Sequence, residues 1–111
     1  MKTIATLLIL ALVLCLSAAC GTAKTPSEFN LSAAQVKYPG YGMDAFSAGQ
    51  TLYSENCGRC HPAYTPSSHT EEQWAQWVPK MVAMANKNAE TVLIDEPGQE
   101  LILKFLYAAS H

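Results

Sequence analysis

An all-α domain is the fold class this sequence predicts, and three observations predict it. Apolar residues recur at spacings of three and four in three separate stretches, a capping box opens the longest of them, and no long segment alternates with the two-residue period of a half-buried strand. The expected order is residues 1–19 as a removable leader, 20–42 as a tether and loop, and 43–111 as a small domain of three principal helices.

Residues 1–19 read as an export signal. Lys2 supplies a short basic start, Ile4 to Leu16 is apolar apart from Thr6, and Ser17, Ala18 and Ala19 are small. The apolar run is shorter than the roughly 20 residues that span a bilayer. Ser17-Ala18-Ala19-Cys20-Gly21 resembles a bacterial lipobox, in which Cys20 becomes the lipidated N-terminus, although Leu16 stands one place earlier than the leucine of many lipoboxes. Ordinary cleavage after Ala19 also fits the small residues, but it would leave Cys20 as a free thiol in an oxidising compartment. Lipidation of Cys20 is the expectation, with the domain on the periplasmic side of a bacterial membrane. Cys15 lies in the apolar run and leaves with the leader. From Cys20 onward 92 residues remain, enough for one small domain. Six basic against nine acidic side chains give that part a net charge of −3, and no basic run supports nucleic-acid binding.

Gly21 to Gly42 carries Thr22, Pro26, Ser27, Ser32, Pro39 and Gly40 with little apolar periodicity. It reads as a tether followed by a loop lying on the domain. Phe29, Leu31, Val36 and Tyr38 are its residues able to pack.

The first principal helix is expected from Asp44, as N-cap, to about Asn56, with Phe46, Gly49, Tyr53 and Cys57 on one stripe. Gly49 inside a helix costs about 1 kcal/mol relative to Ala, so a close approach of another backbone would account for it. Pro62 disfavours α geometry at His61, and Tyr64 to Ser68 is a loop. Thr70-Glu71-Glu72-Gln73 is the capping box that starts the second helix. Its apolar face is Trp74, Trp77, Val78, Met81, Val82, Met84 and Ala85, and Pro79 is expected to kink or divide it. Asn86-Lys87-Asn88 ends the segment, and Thr91-Val92-Leu93-Ile94 is a connection. After Pro97 and Gly98, the last helix is expected from about Gln99 to Ala109, with Leu101, Ile102, Phe105, Leu106 and, at its end, Ala109 as its core face.

The chemistry is concentrated in Cys57-Gly58-Arg59-Cys60-His61, the attachment sequence for a c-type haem. Each thiol can add to one haem vinyl group, and the histidine after the second thiol is then placed under the iron as proximal ligand. A redox dithiol would want a βαβ context, and a structural zinc site a second Cys/His pair; neither is present around this motif. One such motif sets a ceiling of one haem, expected to be bound through Cys57 and Cys60 with His61 on the metal.

With these residues in hand, the chain resembles the class I cytochrome c family. Gly49 to His61 looks like the family's N-terminal helix running into the haem site, and Ile102-Leu103-Lys104-Phe105-Leu106-Tyr107 looks like its C-terminal helix. The resemblance implies that these two helices cross closely, with Gly49 at the contact and Phe105 or Tyr107 opposite. Thr70-x-Glu72-x-Trp74 followed by Met81 is similar to small haem domains of some multi-domain bacterial dehydrogenases. The sequence departs from the family at the sixth ligand, because no Met lies between Met84 and the last helix. The resemblance therefore favours Met81, seven residues beyond Trp74, with Met84 one turn away as the second choice and His69 as a further candidate. Met43 precedes the first helix, and His111 is expected to be exposed. Each Met also has the plain reading of core filler. Trp74 and Trp77 read as bulk covering the haem, with an indole donor to a propionate as the other reading.

The function expected is periplasmic electron transfer by one haem with His and Met ligands, without substrate turnover. Its partners would be membrane-associated redox proteins, and the lipid would tether it to the membrane. Two alternatives remain from the sequence: a gas-binding or sensing haem protein with an open or displaceable sixth site, and a small haem subunit of a membrane-associated redox enzyme.

Overall fold

The computed structural model describes residues 31–111. The segment expected as a leader, and Cys20 with its expected lipidation, lie outside the described residues. Four α-helices and one 3-10 turn are present, and no strand occurs among the described residues, so the fold is all-α as expected. The helices are α1 (Leu31–Lys37), α2 (Met43–Asn56), α3 (Glu71–Lys87) and α4 (Glu96–Ser110), with the 3-10 turn at Pro66–Ser68.

Helix α4 organises the domain, packing against α1, α2, α3 and the 3-10 turn. Its buried stripe is Ile102, Phe105, Leu106 and Ala108, with Ile102 and Leu106 fully enclosed. The α2–α4 crossing explains Gly49. A Cβ there would overlap the Leu101 carbonyl oxygen and stand 2.8 Å from Phe105 Cβ, so only glycine permits this approach. Phe46 and Tyr53 of α2 both pack on Phe105, with ring centroids 5.2 and 5.6 Å away. Asp44 is not the N-cap of α2. Gly42 holds that position and Asp44 falls in the first turn, where its carboxylate faces the positive end of the helix dipole.

The capping box of α3 forms in both directions. Thr70 Oγ1 accepts from the Gln73 amide at 3.3 Å, and Gln73 Oε1 accepts from the Thr70 amide at 2.8 Å. Pro79 does not divide the helix, which is continuous from Glu71 to Lys87. The carbonyl deprived of its donor belongs to Ala75, and Ala75 and Pro79 are both exposed, so water can serve it. The last helix begins three residues earlier than expected. Asp95 caps it by accepting from the Gly98 amide at 2.8 Å, and Pro97 occupies the first turn, where a missing amide donor costs nothing.

The connection between α3 and α4 is fixed by a side chain. Asn86 Oδ1 accepts from the amides of Leu93 and Ile94 at 2.9 and 3.1 Å, while its Nδ2 donates to the Ile94 carbonyl at 2.7 Å. One amide thus pairs Leu93–Ile94 as a neighbouring strand would. The other correction concerns residues 31–37, expected as loop but helical. Ala34 and Tyr41 are buried, Tyr38 meets Tyr107 edge-on at 5.6 Å, and Lys37 pairs with Glu71 while lying 4.3 Å over the Tyr107 ring. A helix of seven residues is too short to show a periodicity, and Val36 is fully on its solvent side. No helix among the described residues is long and apolar enough to cross a membrane.

Candidate functional site

The end of α2, the loop after it and the second half of α3 enclose a cleft of about 350 Å³. Cys57, Cys60 and His61 line it from the end of α2 and the following loop, Val78, Met81, Val82, Met84 and Ala85 line it from α3, and Ile94 completes its apolar lining. A second hollow of about 380 Å³ shares Asn56, Cys60, Ala85 and Asn88 and extends the first toward Arg59 and Leu93. These volumes lie in the range of ligand pockets, roughly 300–1,000 Å³. The sequence-predicted residues Cys57, Cys60, His61, Met81 and Met84 therefore line one cleft.

Local structure explains the placement. Cys57 caps α2, its amide donating to the Tyr53 carbonyl at 2.9 Å, so the first thiol is held by the helix end. Cys57 is half-buried and Cys60 exposed. Burial pushes the Cys57 thiol up to about 11, which keeps it protonated at neutral pH. An attacking thiol of a redox dithiol needs the opposite shift. Nor does a group of three or more His, Cys, Asp or Glu side chains converge on a metal position among the described residues, as a structural zinc site requires.

His61 is exposed, and its Nδ1 lies 2.9 Å from the Pro62 carbonyl. A carbonyl only accepts, so Nδ1 donates and carries the proton. In the neutral ring the lone pair is then on Nε2, the tautomer a metal ligand needs. The Tyr64 ring packs on the imidazole with centroids 5.1 Å apart.

Across the cleft, Met81 is half-buried on the same face as the buried Val78 and Val82, whereas Met84 is 57% exposed. His69 does not line the cleft. Its ring is 4.7 Å from Trp74 and 5.0 Å from Tyr64, and its Nδ1 is 2.7 Å from Ser68 Oγ. Trp74 is buried and its indole Nε1 donates to the Pro66 carbonyl at 2.9 Å, so it is core with its donor already used. Trp77, expected on the apolar face, is 50% exposed with Lys80 Nζ 5.3 Å from its ring. His111 is exposed and stacks on Tyr107 at 4.4 Å. Met43 is exposed at the start of α2, and the cleft does not include it.

Sequence reasoning missed the residues that tie the loop down. Tyr53 was legible only as an apolar stripe position, yet its hydroxyl donates to the Tyr64 carbonyl at 2.5 Å. The available signal was that a buried tyrosine hydroxyl seeks a partner.

Comparison with family models, with curated proteins and with solved structures returns no match for this chain.

Proposed function

We propose that the cleft holds one haem, bound covalently through Cys57 and Cys60, and that the protein carries single electrons on the periplasmic side of a membrane. The observation that carries this reading is the meeting of two thiols and a Nε2-free imidazole with two thioethers across one apolar cleft. The residues fit the group: a flat apolar macrocycle suits walls of valine, isoleucine and alanine, and both ligand types are present. When bound, the haem supplies a one-electron couple between ferric and ferrous iron.

The chain's own part is to bind and to orient. Cys57, fixed at the end of α2, and Cys60 would anchor one edge, while His61 would hold the iron from the loop side. Met81 would face it from α3, where the half-buried Met81 is the better-held thioether of the pair. A soft thioether favours ferrous iron and raises the potential relative to two histidines. Val78, Val82 and Ile94 would exclude water from the ring. Lipidation of Cys20 would keep the carrier beside membrane-bound redox partners, whose transient contacts are small, typically under about 1,200 Å².

A visible spectrum of the purified, reduced protein with and without carbon monoxide tests the reading. The expected result is a low-spin spectrum that carbon monoxide leaves unchanged, with reversible one-electron titration. Rapid formation of a carbon monoxide complex would favour the sensor with a displaceable sixth ligand instead.

A further inference from the structure

We infer that Tyr53 and Trp74 are positioning residues for the His61 imidazole, an inference that rests on the haem reading above. His61 is presented by an irregular segment, residues 62–69, broken only by the short 3-10 turn. That segment also supplies the acceptor of the His61 Nδ1 proton, the Pro62 carbonyl. An exposed loop of this kind would ordinarily leave such a bond loose.

Two buried aromatic side chains from different helices grip its backbone. The Tyr53 hydroxyl of α2 donates to the Tyr64 carbonyl at 2.5 Å, and the Trp74 indole of α3 donates to the Pro66 carbonyl at 2.9 Å. Tyr53 is 6% exposed and Trp74 3%, and their rings meet edge to face at 6.3 Å. Both donors are therefore fixed by the core itself. A ladder of rings runs along the same segment: His61 to Tyr64 at 5.1 Å, Tyr64 to His69 at 5.0 Å, and His69 to Trp74 at 4.7 Å. The imidazole is thus backed by a chain of contacts that ends in the core.

The consequence is electronic as well as structural. An Nδ1–H bond to a carbonyl makes the imidazole a stronger donor and favours ferric iron. Freeing the loop lengthens that bond and shifts the couple toward ferrous iron.

Tyr53→Phe keeps the ring and removes only the hydroxyl. In holoprotein from cells that attach haem, the helical circular dichroism should match the wild type. The ferrous-to-ferric ratio at a fixed applied potential should rise about threefold, about 28 mV at 59 mV per tenfold, less than the tenfold or more from losing a ligand's direct partner. His61 should also leave the iron at a higher pH on acid titration. Ser54→Ala, which removes an exposed hydroxyl bonded to the Thr51 carbonyl, should change neither readout. A haem-bearing Tyr53→Phe with wild-type potential and acid midpoint overturns this inference alone. If Tyr53→Phe yields no holoprotein, proton exchange at His61 Nδ1 in the wild type decides: slow exchange supports the inference and fast exchange overturns it. A wild-type chain that matures with both thiols free overturns the haem reading and this inference with it.

Discussion

Met81 and Met84 are one helical turn apart and differ in how firmly they are held. Met81 is half-buried beside Val78 and Val82, so its thioether has few orientations, whereas Met84 is 57% exposed. Met81→Ala should therefore abolish the weak long-wavelength absorption of a thioether-bound ferric haem and lower the potential. Met84→Ala should leave that absorption in place. The reverse pattern would move the ligand one turn along α3. Tyr41 gives a second test at this scale. Its ring is buried and its hydroxyl has no hydrogen-bond partner among the described residues, and burial pushes its pKa up to about 12. The unfolded chain releases this proton near its ordinary value, so the stability present below about pH 10 is lost as pH rises through 12. Tyr41→Phe should flatten part of that alkaline decline in urea melts, leaving the parts due to Tyr53, also pushed up to about 12, to Tyr38, raised by burial, and to Lys37, raised by its bond to Glu71. At neutral pH it should be equally stable or more so, by about 1 kcal/mol, because no unpaired hydroxyl remains buried.

Among the elements, the α2–α4 crossing is the least tolerant contact. Gly49→Ala should destabilise the domain by about 1–3 kcal/mol despite its gain in helix propensity, since the added methyl meets the Leu101 carbonyl and Phe105. Pro79→Ala should do the opposite, by about 1–3 kcal/mol in the same chemical melts, because α3 runs through Pro79 and the Ala75 carbonyl regains a donor. These two positions also mark what the sequence could reveal. Gly49 was legible because glycine in a helix demands a reason, and the capping box of Thr70 and Gln73 was legible because its chemistry is local. That the helix would run through Pro79 undivided was not legible, because the remedy for its lost bond is solvent, which depends on which face is exposed. Pro97-Gly98 misled for a related reason: the pair reads as a turn, and only the Asp95 cap reveals it as the first turn of α4. Helix α1 left no signal, since its seven residues are held by contacts with α4 rather than by their own pattern. At the site, Cys57, Cys60, His61, Met81 and Met84 were all legible as candidates, and they line one cleft. The Tyr53 and Trp74 bonds to the loop were not legible, because they join residues 11 and 8 apart through the tertiary fold.

For the whole molecule, the cleft runs between the elements that would need the haem most. Its walls come from the end of α2, the following loop and α3, while α4 covers the other side of α2 and α3. A domain this small buries a modest fraction of its surface, and a covalent apolar disc would tie α2 to α3 across the cleft. A Cys57→Ala/Cys60→Ala variant should lose most of its helical circular dichroism and its cooperative melt. A variant that kept both would show that the helices hold together without the group. The central claim, one haem on two thiols, is tested most directly by intact-mass measurement of the chain purified from cells that attach haem, followed by mass mapping of the Cys57–Cys60 peptide. The account predicts the mass of one haem added to that peptide through both sulfurs, with neither thiol open to alkylation. A matured chain in which Cys57 and Cys60 alkylate freely, or are joined to each other as a disulfide, would contradict it.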